Sequence, residues 1–118
     1  MFPRAQRLRR RKDIDAVLRR GRRFPHPLLM LRAMPSVTKS PRVTVVVGVA
    51  VSKRATVRNR LKRQLRHLLR QQLNERNATT IGMDLMVSPR AAILKEPSEV
   101  RAKALAQLLD RIYPKRKP

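Results

Sequence analysis

The sequence predicts a single α+β domain in which helices pack against a small mixed sheet. Its 118 residues suffice for one modest core but not for two. Two long segments carry apolar residues at helical spacing, and three shorter apolar segments are bounded by turn-forming residues, as strands are. The predicted element order is α-β-β-α-β-α, with one more short strand near Val51. No internal repeat or linker divides the chain, so we expect one domain over residues 1–118.

The first predicted element is a short helix at Asp13–Gly21. Its first residue is a suitable N-cap, and its final glycine is typical of a helix end. Ile14, Val17 and Leu18 lie on one face of this helix. Residues 1–12 precede it as a basic segment, which we expect to be a flexible arm that contacts phosphates, and residues 114–118 form a basic tail.

Three strands are predicted, at Leu28–Ala33, Val43–Val51 and Met83–Ser88. The second is rich in β-branched residues and too apolar for a half-exposed strand, so we expect it to be central. Pro35–Pro41 is rich in turn-forming residues and predicts a hairpin-type connection between the first two strands.

Thr56–Arg76 is predicted to be the main helix, and Ser98–Ile112 a second amphipathic helix with Ser98 at its cap. The apolar stripe of the main helix consists of Val57, Leu61, Leu65, Leu68, Leu69 and Leu73.

The charge of the chain predicts a polyanionic partner. Thirty Lys and Arg against seven Asp and Glu give a net charge of +23, more than solubility requires. No acidic residue lies between Asp15 and Glu75, an interval with fifteen Lys or Arg. The longest apolar run is too short to span a bilayer, and a chain without cysteine suits a reducing compartment. We therefore expect a cytoplasmic protein that binds nucleic acid, with no membrane contact.

Basic residues cover the surface of the main helix that the leucine stripe leaves free. No glutamate pairs with them at the spacing usual for a solvated helix face, and arginine binds phosphate oxygens in bidentate fashion. Arg58 and Arg60 are predicted in the first turn, where the helix dipole favours anions over cations. We therefore expect an RNA phosphate at this helix start. The predicted RNA-binding residues are Arg54, Arg58, Asn59, Arg60, Lys62, Arg63, Arg66 and Arg70.

The same segment resembles the signature of the ribonuclease P protein component. RNR and LKR at Arg58–Arg63, followed by Arg66, match the form RNR-x-KR-x-x-R. The resemblance extends to Arg7–Leu8 with Asp13–Gly21, to Val49–Lys53, to Asp84–Arg90 and to the closing helix, and it covers about nine-tenths of the chain.

The resemblance implies an α-β sandwich with a left-handed βαβ crossover, the ribosomal protein S5 domain 2-like fold. It implies a protein that binds the catalytic RNA subunit of ribonuclease P and assists removal of the 5′ leader from precursor tRNA. In that family the RNA subunit holds the Mg²⁺ ions, so no catalytic residue and no metal ligand is expected in this polypeptide. No further protein partner is expected.

The resemblance also implies a cleft for the leader between the sheet and the first helix. By position, Ile14, Leu18, Leu28, Leu31 and Lys53 would line it. Family members usually place aromatic residues in this cleft, whereas the aromatic residues of this chain are Phe2, Phe24 and Tyr113. Leader affinity is therefore expected to depend more on charge than on base stacking. The alternative, that Ile14, Val17 and Leu18 are simply core residues, stays open.

A second departure is the short connection before the RNR motif. Only Arg54–Val57 separates the motif from Lys53, about three residues fewer than the family usually has. The bend into the main helix must therefore be tighter.

Two other functions fit the composition. The first is a ribosomal-type structural protein that stabilises folded RNA without a role in a reaction, and the second is a DNA-binding module. The latter is disfavoured because the sequence has no helix-turn-helix spacing and no zinc motif. Catalysis by the polypeptide alone is disfavoured because no acidic pair has a supporting histidine at metal-ligand spacing.

Overall fold

The structure is a computed structural model that describes residues 7–36, 40–76 and 82–113. The predicted α+β architecture is confirmed. A 3-10 turn at Ala91–Lys95 precedes the last helix. The helices and strands of the described residues are α1 (Arg11–Arg20), β1 (Arg22–Pro25), β2 (Leu29–Pro35), β3 (Arg42–Val45), α2 (Ala55–Glu75), β4 (Met83–Pro89) and α3 (Ser98–Ile112).

The four strands form one mixed sheet in the order β1-β2-β4-β3. β2 pairs in antiparallel fashion with both β1 and β4, whereas β3 runs parallel to β4. A parallel pair needs a long crossover connection, and α2 lies in the connection from β3 to β4. The position of α2 is therefore fixed by the two strands that it joins.

The main core lies on the face of the sheet that α2 and α3 cover. Leu29, Leu31 and Ala33 of β2 are buried there, because alternate side chains of a strand point to the same face. α2 and α3 turn their apolar stripes to this face, and the stripes contribute the buried residues Leu61, Leu65, Leu69, Leu73, Ala104, Leu105, Leu108 and Leu109. Val57 and Leu68, also predicted in the stripe, are only partly buried.

The side chains of two arginines connect α2 to α3 through hydrogen bonds. Arg76 follows the last residue of α2, and its Nε and Nη2 donate to one oxygen of Asp110, at 3.0 and 2.7 Å. In α3, Arg101 donates from Nη1 to Gln64 of α2 at 2.6 Å and from Nε to the carbonyl oxygen of Ile93 at 3.0 Å. These arginines therefore stabilise the fold.

α1 packs on the opposite face of the sheet over a smaller cluster. Leu8, Val17 and Met86 are its buried members, with Ile14 and Met34 partly buried beside them. The N–H of Leu8 donates to the carbonyl oxygen of Val43 at 2.8 Å, next to a β-bridge of Arg7 with the same residue. The end of the basic segment thus lies along the β3 edge. Residues 1–6 of the predicted arm and the tail at 114–118 lie outside the described residues.

One guanidinium connects α1 to the sheet. Arg42 of β3 donates from Nε and Nη2 to the two carboxylate oxygens of Asp84, and from Nη1 to Asp13 at 3.1 Å. The hydrogen bonds to Asp84 raise the pKa of Arg42 further above its usual value. The prediction that Asp13 is an N-cap is wrong, because α1 begins at Arg11 and its cap position, Arg10, makes no side-chain cap bond.

The prediction of a central strand at Val43–Val51 is wrong in extent and position. β3 ends at Val45 and lies next to β4 alone among the four strands. Val46 and Val49 are 45% and 70% exposed, and no strand forms near Val51. The chain leaves the sheet here because it must cross to the start of α2.

The predicted hairpin at Pro35–Pro41 is also wrong. β2 and β3 do not pair, because β4 inserts between them; residues 37–39 of this connection are outside the described part. β1, which the sequence did not predict, pairs with β2 instead. Its only buried residue is Phe24, so it lacks the apolar alternation by which strands are found.

Candidate nucleic-acid interface

α2 presents a row of polar and cationic side chains opposite its buried stripe. Asn59, Arg63, Arg66 and Arg70 follow one another at intervals of four, three and four residues, the spacing at which helix side chains stand above one another. Asn59, Arg63 and Arg70 are exposed, whereas Arg66 is partly buried, as is Lys62 beside the row. We name these five residues the α2 row.

The start of α2 is uncapped. Arg54 occupies the cap position without a side-chain cap bond, and the first turn contains no acidic residue. The N–H groups of Ala55, Thr56 and Val57 therefore have no partner within the helix. Together with the positive end of the helix dipole, they favour an anion; the RNA phosphate expected there stays a prediction.

Arg58 and Arg60 differ in their surroundings. Arg58 lies in the first turn, and its Nη1 donates to the carbonyl oxygen of Ser52 at 2.9 Å. It therefore holds the loop before α2 and is partly buried. Arg60 is the sixth residue of α2, so the prediction that it lies in the first turn is wrong. Helical geometry places it on the border of the α2 row.

The cations of this surface are not neutralised by carboxylates of the described residues. Arg60, Lys62, Arg63 and Arg66 make no ion pair with them. Asp13, Asp84 and Asp110 are engaged elsewhere, with Arg42 and Arg76. The α2 row is therefore a cationic surface that lacks an internal counterion at these positions.

The residues predicted to line a leader cleft separate into two groups. Leu31 is fully buried in the core beneath α2 and α3, and Leu28 packs against the same core. Neither can line a cleft on the α1 side, so their predicted placement is wrong. The physical reason is strand alternation: Met30, Arg32 and Met34 of β2 face α1 instead.

Ile14, Leu18 and Lys53 differ in their exposure. Ile14 is partly buried beside Val17, which is fully buried, whereas Leu18 is 48% exposed. Val17 is therefore core, and Leu18 is not. Lys53 is exposed in the loop that leads into α2, next to Arg54. Their contact with the leader stays a prediction.

Two cations on the α1 side of the sheet were not predicted from the sequence. Arg23 of β1 and Arg32 of β2 are direct cross-strand partners. Arg32 interrupts an otherwise apolar strand, and a charged residue at such a position indicates a side chain on the face away from the main core. Arg23 could not be placed because β1 was not predicted.

The described aromatic side chains do not provide a stacking platform. Phe24 and Tyr113 are 5% and 6% exposed, both in the main core. The guanidinium carbons of Arg22 and Arg111 lie 5.2 and 5.3 Å from the centre of the Phe24 ring, within cation–π range. Phe2 is outside the described residues.

Neither a metal cluster nor a membrane span occurs in the described ranges. No three His, Cys, Asp or Glu side chains converge there as metal ligands do. None of the three α-helices combines the length and apolarity needed to cross a bilayer.

Comparison with known proteins agrees with this architecture. The family model of ribonuclease P matches residues 2–113. The ribonuclease P protein component of a Cyanothece species is 33% identical over 125 residues, which cover 92% of this chain and 93% of that protein. The corresponding Pseudanabaena protein is 43% identical over 76 residues, with 64% of this chain and 66% of that protein covered.

Solved structures show the same fold. The ribonuclease P protein of Thermotoga maritima superimposes with a TM-score of 0.77 at 25% identity, over 89% of this chain and 96% of that chain. The Staphylococcus aureus protein gives a TM-score of 0.75 at 12% identity, over 94% and 98%, a likeness of fold alone. The chain belongs to the ribonuclease P protein family, whose members act with ribonuclease P RNA as the protein subunit of the tRNA-processing ribonucleoprotein endoribonuclease.

Proposed function

We propose that this chain binds ribonuclease P RNA through the α2 row and the uncapped start of α2, and binds the 5′ leader of precursor tRNA on the α1 side of its sheet. The complex would hydrolyse one phosphodiester bond and leave a 5′ phosphate on the mature tRNA. The observation that carries the proposal is the row itself, in which Lys62, Arg63 and Arg66 stand without carboxylate partners from the described residues.

The physical role of the row is to screen phosphate repulsion. Two RNA molecules, the catalytic RNA and the precursor, must approach each other, and each carries one negative charge per nucleotide. Each cation that neutralises a phosphate releases a counterion, which favours association most at low salt. The leucine stripe on the other side of α2 fixes the row against the core, so the cations are held by a rigid element.

The leader is proposed to lie beside α1. Leu18 supplies an exposed apolar contact at this surface, and Arg23 and Arg32 supply positive charge on the adjoining strands. Aliphatic side chains pack against a base face without the stacking energy of an aromatic ring, about 1–3 kcal/mol per base. Leader binding should therefore depend on charge.

Mg²⁺ is proposed to be held by the RNA subunit. Three of the seven acidic residues of the chain, Asp13, Asp84 and Asp110, are already bound to arginines that fix the fold. The role of the chain is then to position the precursor, and we propose that it acts in the cytoplasm.

Reconstitution tests this proposal. The purified chain should restore cleavage of precursor tRNA by a bacterial ribonuclease P RNA at low Mg²⁺, and the chain alone should cleave nothing. An unrelated structured RNA of equal length is the binding control. Equal affinity for both RNAs, with cleavage unchanged by the chain, would contradict the proposal and favour the ribosomal-type structural role.

A further inference from the structure

We propose that Arg23 and Arg32 form a two-arginine clamp for the sugar-phosphate backbone of the single-stranded leader. The inference rests on the proposed function and specifies how the α1 side of the sheet recognises RNA. The two arginines would bind the negative charge of the backbone, whereas aromatic side chains would stack on the faces of the bases.

The two side chains are placed together by the register of the sheet. Arg23 on β1 lies directly opposite Arg32 on β2, where cross-strand Cβ atoms are about 4.5–5.5 Å apart. Both point away from the main core, because Phe24 and Leu31, their chain neighbours, point into it. Met86, the partner of Arg32 on β4, packs in the cluster beneath α1.

The pair lacks a counterion among the described residues. Neither Arg23 nor Arg32 makes an ion pair there. Asp13 of α1 and Asp84 of β4 are both engaged by Arg42. Asp15 lies two residues before Val17, so it points to the far side of α1.

An unsatisfied donor points independently to a ligand. The Nε of Arg32 is buried and has no hydrogen-bond partner, which is rare for a charged side chain. Like charges placed directly opposite on a sheet repel each other. Because this Nε is buried as the side chain stands, Arg32 would turn outward to offer Nε and a terminal nitrogen to a phosphate, which would satisfy the donor and relieve the repulsion.

A single-stranded phosphodiester suits this site better than a base does. Phe24 and Tyr113 are buried in the other core, so neither of these described rings can stack on a base at this site. Met30 lies two residues before Arg32 on the same face of β2, and Leu18 is exposed on α1; both are flexible aliphatic side chains without groups that hydrogen-bond to a particular base. Leaders of different sequence should therefore bind with similar affinity.

Because the leader and the catalytic RNA both carry phosphodiesters, the experiment measures the binding of each one separately. The variants are Arg23→Gln, Arg32→Gln and their combination, each reconstituted with the RNA subunit. Arg22→Gln is the matched control, because Arg22 is the chain neighbour of Arg23 and lies on the opposite face, over Phe24. Affinity is measured for precursor tRNA, for leaderless mature tRNA and for the RNA subunit. Circular dichroism establishes that each variant folds.

The clamp predicts a loss of precursor affinity of about five- to tenfold per arginine at low salt, with mature tRNA and the RNA subunit bound as before. Arg22→Gln should leave all three affinities unchanged. An equal loss for mature tRNA, or a loss of affinity for the RNA subunit, would overturn the leader assignment. An equal loss of precursor affinity with Arg22→Gln would also overturn the assignment.

Neutral methylphosphonates, introduced one at a time along the leader, give a second measurement that uses the wild-type protein. One or two positions should weaken binding in the wild type and have no effect in the double variant. Uniform effects at all positions would overturn the clamp. If the wild-type holoenzyme binds precursor tRNA and mature tRNA with equal affinity, the proposed function fails. If the wild type prefers the precursor and the variants keep the same preference, only the clamp fails.

Discussion

Arg42 holds Asp84 through two hydrogen bonds of 2.8 Å, from Nε to one carboxylate oxygen and from Nη2 to the other. Its remaining nitrogen, Nη1, reaches Asp13 of α1 at 3.1 Å. One guanidinium thus joins the β3 edge, the central strand β4 and the first helix. The surface proposed for the leader depends on this junction, because it fixes α1 relative to the sheet.

Arg42→Met should destabilise the chain by about 3 kcal/mol, because it leaves a carboxylate buried without its partner. The Asp84 side chain is 7% exposed, so water cannot readily replace the lost bonds. Unfolding in urea measures the loss. The double variant Arg42→Met with Asp84→Leu should recover most of the stability; if it is as unstable as the single variant, the lost packing of Arg42 is responsible and not the ion pair.

Arg63→Gln with Arg66→Gln should lower the salt dependence of binding to ribonuclease P RNA. Each phosphate contact contributes about 0.7–0.9 to the slope of log K against log salt, so the slope should fall by about 1.4–1.8. The control is Lys95→Gln with Lys103→Gln, which removes the same charge from exposed positions outside α2. An equal fall for both pairs would show that only net charge matters.

The main helix and its cationic surface could be predicted because their signal is local. Leucines at helical spacing set the buried side of α2 without reference to any other element. Its start and end were predicted within one residue. The same reasoning could not tell that Arg58 turns back to Ser52 or that Arg76 binds Asp110, because these bonds depend on tertiary placement.

The strands were predicted less well because their faces and partners are not local properties. The valines after Val45 suggest a long strand, yet its partner β4 ends at Pro89, and the chain must leave for α2. Leu31 and Arg32 are adjacent in sequence but belong to opposite faces. Their assignment to a face needed the helices that cover each face, and without them Leu31 was placed on the α1 side of the sheet.

Gly21→Ala should destabilise the chain by about 1–3 kcal/mol, the cost of overpacking. The N–H of Gly21 donates to the carbonyl oxygen of Val17 at 2.9 Å, and an added Cβ would lie closer than 3.0 Å to that oxygen. A backbone atom of α1 cannot move aside as a flexible side chain can. Thermal unfolding measures the effect, with Gly48→Ala as control, since a Cβ there meets nothing within 4 Å. Equal stability of the two variants would contradict this account of Gly21.

Tyr113 should make the chain sensitive to alkali. Burial raises its pKa to about 12, whereas an unfolded tyrosine ionises near pH ~10. Between these values the unfolded chain loses a proton that the folded chain keeps. The free energy of unfolding should therefore be unaffected by this group below pH ~10 and fall by up to about 3 kcal/mol as the pH rises to ~12.

Tyr113→Phe separates this loss from the titration of lysines in the same range. The hydroxyl of Tyr113 has no hydrogen-bond partner among the described residues, so its removal should leave stability at neutral pH unchanged or raise it by about 1 kcal/mol. Above pH ~10 the variant should lose less stability than the wild type. Because the chain has one tyrosine, phenolate absorbance follows its ionisation directly. Titration near pH ~10 in the folded protein would show that Tyr113 is open to water.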